Sequence, residues 1–354
     1  MNSRDMATSW SIAAAFIALP LLGFAQSGRA PWHDPSTHGV QFVTVHDGVR
    51  LEVVDWGGTE RNIVLLAGSG NTAHVFDDFA QKLSRSGHVY GITRRGFGVS
   101  SHPEDGYDDQ RLADDVLRVL EVMQISKPLL VGHSMAGSEM TTLGSQQSDR
   151  VSGLVYLDAG DDPGDYPGDP AYRALFDKLP SSVTSPKRAS VEDRKSFQAY
   201  RNWQRRTMRF AFPEAELRQR FNANPNGSVG TPRATGSISQ KIPIAQMIGE
   251  GSKKRDYSRI RVPILYLPAA PPQADGWSQY YRFTPASEVE RTTLQKIYDA
   301  DRINLTRYEK NIQTALGKVR ITELRGADHY VYFSNEAAVL RELREFMADL
   351  RSSF

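Results

Sequence analysis

The residues best suited to chemistry lie in the hexapeptide GHSMAG, at positions 132–137. The apolar run PLLV (128–131) leads into it and a helical pattern follows it, so Ser134 should sit on a sharp turn from strand to helix. Such a turn requires small residues at the second position on either side, here Gly132 and Ala136. It lifts the hydroxyl clear of the sheet and directs the helix N-terminus at a carbonyl oxygen. The pattern therefore predicts that Ser134 is the nucleophile of an acyl transfer.

A serine hydroxyl is a weak nucleophile until a base removes its proton, and a histidine can supply that base. Of the eight histidines, His329 is the best placed, because the segment GADH (326–329) lies between the last predicted strand and the last helix. Strand ends at that edge of the sheet should point to the same side as Ser134. His133 is adjacent in sequence, but neighbouring side chains on such a turn diverge. The sequence therefore predicts His329 as the base.

An acid should hold the histidine in the correct tautomer, and two positions fit the chain order serine, acid, histidine. Asp158 ends the strand that follows the serine helix. Asp275 follows the next strand, in a proline-rich loop. We favour Asp158, which lies at a rigid strand end; Asp275 remains the alternative, and Asp161 is a third possibility.

The oxyanion that forms on attack needs preorganised N–H donors. Met135 supplies one by its position directly after the serine. The segment AGSGN (67–71) follows the third strand, and its glycines allow the N–H of Ser69 to supply the other. The segment is not a phosphate-binding loop, because no Gly-Lys-Ser/Thr follows it.

The surrounding chain alternates apolar strand-like runs with helical patterns, which indicates a mainly parallel sheet covered on both faces. We predict an α/β fold with an eight-stranded, mostly parallel sheet and helices on both faces, opened by an antiparallel hairpin that turns at Asp47-Gly48. The strands are predicted within 40–58 (two strands), 62–68, 88–95, 128–134, 151–159, 262–270 and 318–324.

Residues 161–260 interrupt this alternation. They show no clear strand and contain many Pro, Gly and Arg residues, with one helix-like stretch at 196–212. An insertion of this length is too long for a plain loop, so we predict a helical cap between core segments 26–160 and 261–354. The aromatic side chains of Trp203 and Phe210, together with His74 near the oxyanion loop, are expected to contact substrate.

Composition excludes several classes of protein. The chain has 354 residues with a formal charge of +2, which gives no field for steering nucleic acid. No cysteine is present, which excludes disulfides, thiolate metal sites and a cysteine nucleophile. HExxH is absent, and the aspartates between 158 and 169 lack calcium-loop spacing, so we expect neither a metal nor a cofactor.

The N-terminus carries an apolar run, IAAAFIALPLL (12–22), preceded by Arg4 and followed by the small residues Gly23 and Ala25. About 20 apolar residues are needed to span a membrane, so this run is too short to do so comfortably. Its length is typical of a signal peptide. We expect residues 1–25 to be removed and the mature chain to be exported, periplasmic or secreted, without a stable membrane anchor.

Together these motifs resemble the α/β-hydrolase superfamily from about residue 39 to the C-terminus. The matching pieces are LLAGSGN (65–71), TRRGFGVSS (93–101), GHSMAG and GADHY (326–330). Members commonly have His-Gly in the first piece and Asp before Arg-Gly in the second, where this chain has Ala67 and Thr93. The resemblance implies the α/β-hydrolase fold, with the cap domain at 161–260 covering the site and selecting a small-molecule substrate.

We therefore expect a serine hydrolase, carboxylesterase-like, that cleaves an ester, thioester, lactone or small amide through an acyl-enzyme. Two alternatives remain. A cofactor-free perhydrolase or a carbon–carbon bond hydrolase would use the same three residues, and a non-enzymatic binding protein could retain the fold. The acyl and leaving groups and the oligomeric state are not indicated.

Overall fold

Eight strands form the central sheet of the computed structural model, in the order β1-β2-β4-β3-β5-β6-β9-β11. Pairing is antiparallel between β1 and β2 and between β2 and β4, and parallel elsewhere. This confirms the predicted eight-stranded, mostly parallel sheet. The strands are β1 (Gly39–His46), β2 (Val49–Gly57), β3 (Asn62–Leu66), β4 (His88–Ile92), β5 (Leu129–His133), β6 (Gly153–Leu157), β9 (Ile264–Leu267) and β11 (Val319–Ile321).

The structure describes residue 32 and residues 34–46, 48–159, 170–180, 188–233, 244–252, 255–272, 284–316 and 319–352. Residues 34–354 belong to one compact unit, and every contact below lies within it. Several predictions concern positions outside the described residues: the segment 1–25, Asp47 of the hairpin turn, Asp161 and Asp275.

Both faces of the sheet are buried because its central strands carry apolar side chains on both faces. On β3, Ile63 and Leu65 belong to one apolar cluster while Val64 and Leu66 belong to another. The first cluster includes side chains of α1 (Asp77–Leu83) and α10 (Glu336–Ser352), and the second those of α2 (Asp109–Val122) and α3 (Ala136–Gln146). Continuous apolar runs of this kind are typical of parallel strands covered on both sides.

The described part of the insertion, residues 161–260, contains four helices. Its helices are α4 (Pro170–Phe176), α5 (Phe197–Met208), α6 (Glu214–Arg220) and α7 (Ile244–Gly251). The α5 helix begins where Ser196 Oγ accepts the N–H of Ala199 at 3.1 Å, and it ends at Arg209, which adopts a left-handed φ of 62°.

The expectation that the insertion holds no strand is wrong. The short strands β7 (Phe221–Ala223) and β8 (Val229–Pro232) pair antiparallel across a turn that contains Gly227. Their three and four residues include Asn, Gly and Pro, which mask the alternating pattern of a strand.

The C-terminal part supplies the remaining elements: α8 (Glu288–Leu316), α9 (Val331–Ser334) and a short parallel pair formed by β10 (Ala269–Ala270) and β12 (Leu324–Arg325). Among the helices of the described residues, none has the length and apolar character needed to cross a membrane.

Candidate functional site

Ser134 occupies a strained turn between β5 and α3. Its φ is +55°, in the left-handed region that side chains rarely adopt. Its N–H donates to the carbonyl of Leu157 at 3.3 Å, and its carbonyl accepts the N–H of Gly137 at 3.0 Å. The turn is therefore held from both the neighbouring strand and the helix that it opens, as its sequence predicts.

Two glycines make this turn possible because no side chain would fit at either position. A Cβ at Gly132 would lie 2.2 Å from Met140 Sδ and 3.0 Å from Ala136 Cβ. At Gly137 it would lie 2.0 Å from the carbonyl oxygen of Ala159. The first clash involves a side chain that can shift, whereas the second involves backbone.

Gly137→Ala should accordingly destabilise the protein by about 3 kcal/mol, because the new methyl group overlaps a backbone oxygen. Gly249→Ala is the matched control. Gly249 also lies in a helix, but nothing stands within 4 Å of its Cβ position, so alanine there should stabilise by about 0.5–1 kcal/mol. Urea unfolding of both variants measures the difference. Equal effects would contradict this reading of the Gly137 contact.

His329 and Asp158 form a short hydrogen bond at the same edge of the sheet. His329 Nδ1 donates to Asp158 Oδ2 at 2.6 Å, and Asp158 Oδ1 accepts the N–H of Ala269 at 2.9 Å. Asp158 directly follows β6 and has a φ of +46°, and its side chain is 19% exposed. A carboxylate on Nδ1 fixes the tautomer of a neutral imidazole and leaves the lone pair on Nε2. The ring is thus prepared to accept a proton at Nε2.

His133 joins the serine turn to the histidine loop. Its Nε2–H donates to the carbonyl of His329 at 2.9 Å, and the two rings lie 4.6 Å apart. Its Nδ1 is buried and has no hydrogen-bond partner among the described residues. Burial, with a further contribution from the charge of His329, lowers the pKa of His133 well below 6.5. His133 is therefore a neutral donor that holds the histidine loop beside Ser134.

Replacing His133 should change how stability depends on pH. Folded His133 stays neutral, whereas the unfolded imidazole takes up a proton below its ordinary pKa of 6.5, so the wild type loses stability as pH falls through that value. His133→Gln removes this contribution. The quantity of interest is the free energy of unfolding of the wild type minus that of the variant. It should be about 2 kcal/mol lower at pH 5.0 than at pH 7.5. Urea unfolding at both pH values tests this, and parallel pH profiles would contradict it.

The predicted oxyanion loop lies directly against the serine turn. A Cβ at Gly68 would stand 2.9 Å from His133 Nδ1 and 3.0 Å from Ser134 Cβ, so only glycine permits this approach. Within the described part of the chain, no hydrogen bond engages the backbone N–H of Ser69 or of Met135. Both groups flank the serine turn, where donors for a developing oxyanion are needed.

A buried carboxylate of the insertion holds this loop. Glu216 of α6 is fully buried and accepts three hydrogen bonds: from Asn71 Nδ2 at 2.8 Å, from Thr72 N–H at 3.1 Å and from Thr72 Oγ1 at 2.6 Å. The Oδ1 of Asn71 accepts the hydroxyl of Tyr330 at 3.0 Å. Burial raises the pKa of Tyr330, which keeps this donor protonated. The insertion, the oxyanion loop and the residue after His329 are thereby connected.

An ion pair braces the opposite side of the loop. Arg94 Nε and Nη2 donate to the two carboxylate oxygens of Glu139 at 2.9 and 2.7 Å, and Nη2 also donates to the carbonyl of Ala67 at 2.9 Å. Both side chains are buried. Glu139 lies on α3, so the pair connects the start of the oxyanion loop to the helix that begins after Ser134.

The two aromatic residues predicted to bind substrate have different neighbours: Phe210 contacts rings of the histidine loop, and Trp203 contacts a ring of the insertion. The ring of Phe210 lies 5.3 Å from that of Tyr330 and stacks at 5.1 Å on Phe333. Trp203 is partly buried and contacts Tyr200, with ring centroids 5.0 Å apart.

His74 lies in a different environment from the one predicted. It is buried, with Nδ1 at 3.4 Å from Asp77 Oδ2 and Nε2 at 3.3 Å from Glu52 Oε1. Burial alone would lower the pKa of His74, but the hydrogen bonds and charges of Asp77 and Glu52 outweigh burial and raise it to about 10. Because both ring nitrogens face carboxylates, the predicted contact with substrate is a poor fit for His74.

Sequence reasoning missed the residues that support the site rather than those that would react. These residues are Asn71, Arg94, Glu139, Glu216 and Tyr330, together with His133, which it set aside. The hydrogen bond from Asn71 to Glu216 spans 145 residues of sequence, and the one from Tyr330 to Asn71 spans 259. The sequence offers a weak signal for one of them: Glu139 falls on the buried first turn of α3, where a lone carboxylate requires a partner.

Short stretches of the chain are similar to proteins of known activity. A 2-(acetamidomethylene)succinate hydrolase of Mesorhizobium japonicum is 29% identical over 91 residues, which cover 26% of this chain and 33% of that protein. A bifunctional esterase/perhydrolase of Acinetobacter calcoaceticus is 33% identical over 102 residues, covering 28% and 37%. The chain spans about a third to a half of the length of the curated relatives it matches.

The similarity of the fold extends much further. A crystal structure of E-2-(acetamidomethylene)succinate hydrolase superposes with a TM-score of 0.60 at 17% identity, covering 88% of this chain and 99% of that one. A thioesterase domain from the curacin biosynthetic pathway gives a TM-score of 0.57 at 16% identity, covering 87% and 99%. The family model described as the alpha/beta hydrolase family matches residues 63–342. With its eight-stranded sheet and the turn at Ser134, the chain belongs to the alpha/beta hydrolase family.

Proposed function

We propose that this protein is a serine hydrolase that cleaves an ester-type bond of a small, largely apolar substrate. The observation that carries the proposal is the 2.6 Å hydrogen bond between His329 and Asp158, next to a serine held at a φ of +55°. A histidine oriented by a carboxylate, close to a serine on such a turn, is the arrangement that acyl transfer requires.

In the first half-reaction, Ser134 Oγ attacks the substrate carbonyl carbon while His329 Nε2 takes the hydroxyl proton. Asp158 stabilises the imidazolium that forms. The backbone N–H groups of Ser69 and Met135 donate to the oxyanion. His329 then gives the proton to the leaving group, and the acyl group remains on Ser134.

In the second half-reaction, His329 removes a proton from water, and the resulting hydroxide attacks the carbonyl carbon of the acyl-enzyme. His329 then returns the proton to Ser134 Oγ as the bond between Oγ and the acyl carbon breaks and the acid leaves. The same oxyanion donors act again, because a second tetrahedral intermediate forms. No cofactor takes part in this proposal.

The insertion is proposed as the cap that shapes the substrate side of the site. Phe210 packs against Tyr330, the neighbour of His329, which brings aromatic side chains of the insertion next to the histidine loop. We therefore propose that substrates with apolar acyl or alcohol groups are preferred over charged ones.

A second reaction deserves a parallel assay. The Acinetobacter calcoaceticus relative is named as both an esterase and a perhydrolase. Hydrogen peroxide in place of water would convert the same acyl-enzyme to a peracid. Product analysis with and without peroxide separates the two reactions, and a carbon–carbon bond hydrolase would be distinguished by its diketone substrates.

Labelling with a fluorophosphonate probe tests the proposed nucleophile. The wild type should gain the mass of one phosphonyl group, whereas Ser134→Ala should gain none, because only an activated serine reacts with the probe. Intact-mass spectrometry reads the result.

Ser145→Ala is the matched control. Ser145 lies on the same helix and its hydroxyl donates to the carbonyl of Thr142 at 3.0 Å, so its removal should leave labelling unchanged. Equal labelling of the wild type and Ser134→Ala, or none of either, would contradict the proposal and favour a binding protein that retains the fold.

We also propose that residues 1–25 direct export. Fractionation of expressing cells, with the mass of the mature chain, tests this proposal. It predicts an exported product that begins near residue 26, and a full-length product in the cytoplasm would contradict it.

A further inference from the structure

A second group of titratable side chains lies buried beside the turn that follows the oxyanion loop. His38, from the segment before β1, and His74 lie with their ring centroids 5.3 Å apart. Three carboxylates, Asp34, Asp77 and Glu52, surround them. The Asp34 side chain is 19% exposed, and the other four are 6% exposed or less. The proposed hydrolase mechanism uses none of these groups.

Three of these residues place atoms that could bind a metal ion close to one another. His38 Nε2 lies 3.8 Å and His74 Nδ1 4.0 Å from Asp34 Oδ2, and the three residues offer ligand atoms that all lie within 4.8 Å of one another. In a tetrahedral zinc site, ligand atoms about 2.1 Å from the ion lie about 3.4 Å from each other. The three ligand atoms would need to move only roughly 0.5–1.5 Å closer to one another to bind an ion.

The remaining carboxylates lie where a metal site requires them. A histidine that binds a metal through one ring nitrogen usually donates the other N–H to a carboxylate. His74 Nε2 lies 3.3 Å from Glu52 Oε1, and His38 Nδ1 lies 3.8 Å from Asp77 Oδ1. The other oxygen of Asp77 lies 3.4 Å from His74 Nδ1, and an ion bound at that nitrogen would replace this hydrogen bond. Glu52 is itself held by the hydroxyl of Thr93 at 2.6 Å. Both histidines thus stand between Asp34 and a second carboxylate.

His38 gives an independent indication. Its Nδ1 is buried and unpaired among the described residues, and its Nε2 forms no hydrogen bond with them either. Buried polar atoms are nearly always hydrogen-bonded. A ring with carboxylates at 3.8 Å on both sides is therefore placed for an ion rather than for direct hydrogen bonds.

Charge favours a cation at the same point, because three carboxylates, of which Asp77 and Glu52 are buried, surround two imidazoles, and buried charges need a partner. We propose that Asp34, His38 and His74 form a binding site for a divalent transition-metal ion, namely zinc, which prefers this combination of nitrogen and oxygen ligands. The ion would displace any proton carried by His74. It would attach the segment before β1 to the turn after the oxyanion loop.

Zinc titration of the full chain tests the site. The protein is stripped with EDTA, incubated with zinc at pH 7.5 and passed through a gel-filtration column. It should then retain one zinc per chain, measured by elemental mass spectrometry, and added zinc should raise its Tm. Asp34→Asn and His38→Ala should each weaken zinc binding at least about 100-fold. Cobalt should give the wild type a visible d–d absorption that both variants lack. Circular dichroism checks that the variants fold. Asp34→Asn should disturb the fold less than His38→Ala, because Asp34 is the most exposed of the three ligands.

Two control variants show where the zinc binds. His88→Ala removes another histidine paired with a carboxylate, Asp55, at 2.8 Å, and His329→Ala removes the histidine of the proposed active site. Both should retain one zinc. The proposal is overturned if the wild type retains no zinc, if both ligand variants bind as tightly as the wild type, or if a control variant loses the metal. None of these readouts depends on hydrolase activity.

Discussion

Asp158→Asn should lower kcat for ester hydrolysis by about 10⁴-fold while leaving the fold intact. Asparagine can still accept the N–H of Ala269 through its carbonyl oxygen, so the turn after β6 should persist. Its amide group, however, can donate to His329 Nδ1 and stabilise the tautomer that carries the proton on Nε2. That tautomer cannot take the proton of Ser134. Steady-state kinetics with p-nitrophenyl esters, beside circular dichroism, measure the effect.

Asp275→Asn is the matched control, because Asp275 is the alternative acid from the sequence. We expect it to keep activity within about threefold of the wild type, since the carboxylate at 2.6 Å from His329 is that of Asp158. If Asp275→Asn lost activity and Asp158→Asn did not, the acid would be Asp275. The same substitution at Asp161 completes the comparison.

Glu139→Gln should destabilise the protein by about 3–5 kcal/mol, because it leaves the Arg94 guanidinium buried without a counter-charge. The Arg94 and Glu139 side chains are only 6% and 4% exposed. Their separation would also release Ala67 at the start of the oxyanion loop. Urea unfolding at pH 7.5 gives the change in stability.

Glu121→Gln is the control for a surface pair. Glu121 faces Arg118 and Arg150 at 3.3 Å, but its side chain is 45% exposed, so its loss should cost less than about 1 kcal/mol. The double variant Arg94→Met/Glu139→Leu should regain part of the lost stability, because no buried charge remains. If Glu139→Gln and Glu121→Gln lowered the free energy of unfolding by similar amounts, the buried pair would contribute no more to stability than the surface pair.

The sheet was predictable because its strands are read from local patterns. Runs such as IVLL in β3 and LVYL in β6 carry apolar side chains on both faces, which is typical of strands covered on both sides. The two-residue strands β10 and β12 and the short pair β7 and β8 could not be predicted, because they contain too few residues to show a period. Such pairing depends on what the surrounding chain brings together.

The proposed catalytic residues were more accessible to sequence reasoning than their supports. Ser134 was chosen from the small residues around it, and Asp158 and His329 from their positions at strand ends. The sequence left Asp158 and Asp275 as alternatives because each follows a predicted strand; the structure adds the hydrogen bond of Asp158 to His329, whereas Asp275 lies outside the described residues. Glu216 could not have been identified, since nothing near it in sequence indicates that it contacts the oxyanion loop.

The proposed zinc ligands were missed for the same reason. Asp34 and His38 are four residues apart, but His74 lies on a different segment, and no short motif joins the three. The expectation of no metal rested on the absence of HExxH and of calcium-loop spacing. Only the fold brings the side chains together.

The hydrogen bonds of Glu216 bear on how this protein could be re-engineered. Homologues are often recombined by exchanging the segment between two sheet strands as though it were an interchangeable module. Here such an exchange would remove the acceptor for Asn71 Nδ2 and for the N–H and hydroxyl of Thr72. A transplanted segment without a carboxylate at this point would therefore impair turnover of every substrate, whatever specificity it was chosen to confer. The insertion and residues 71–72 therefore have to be exchanged together.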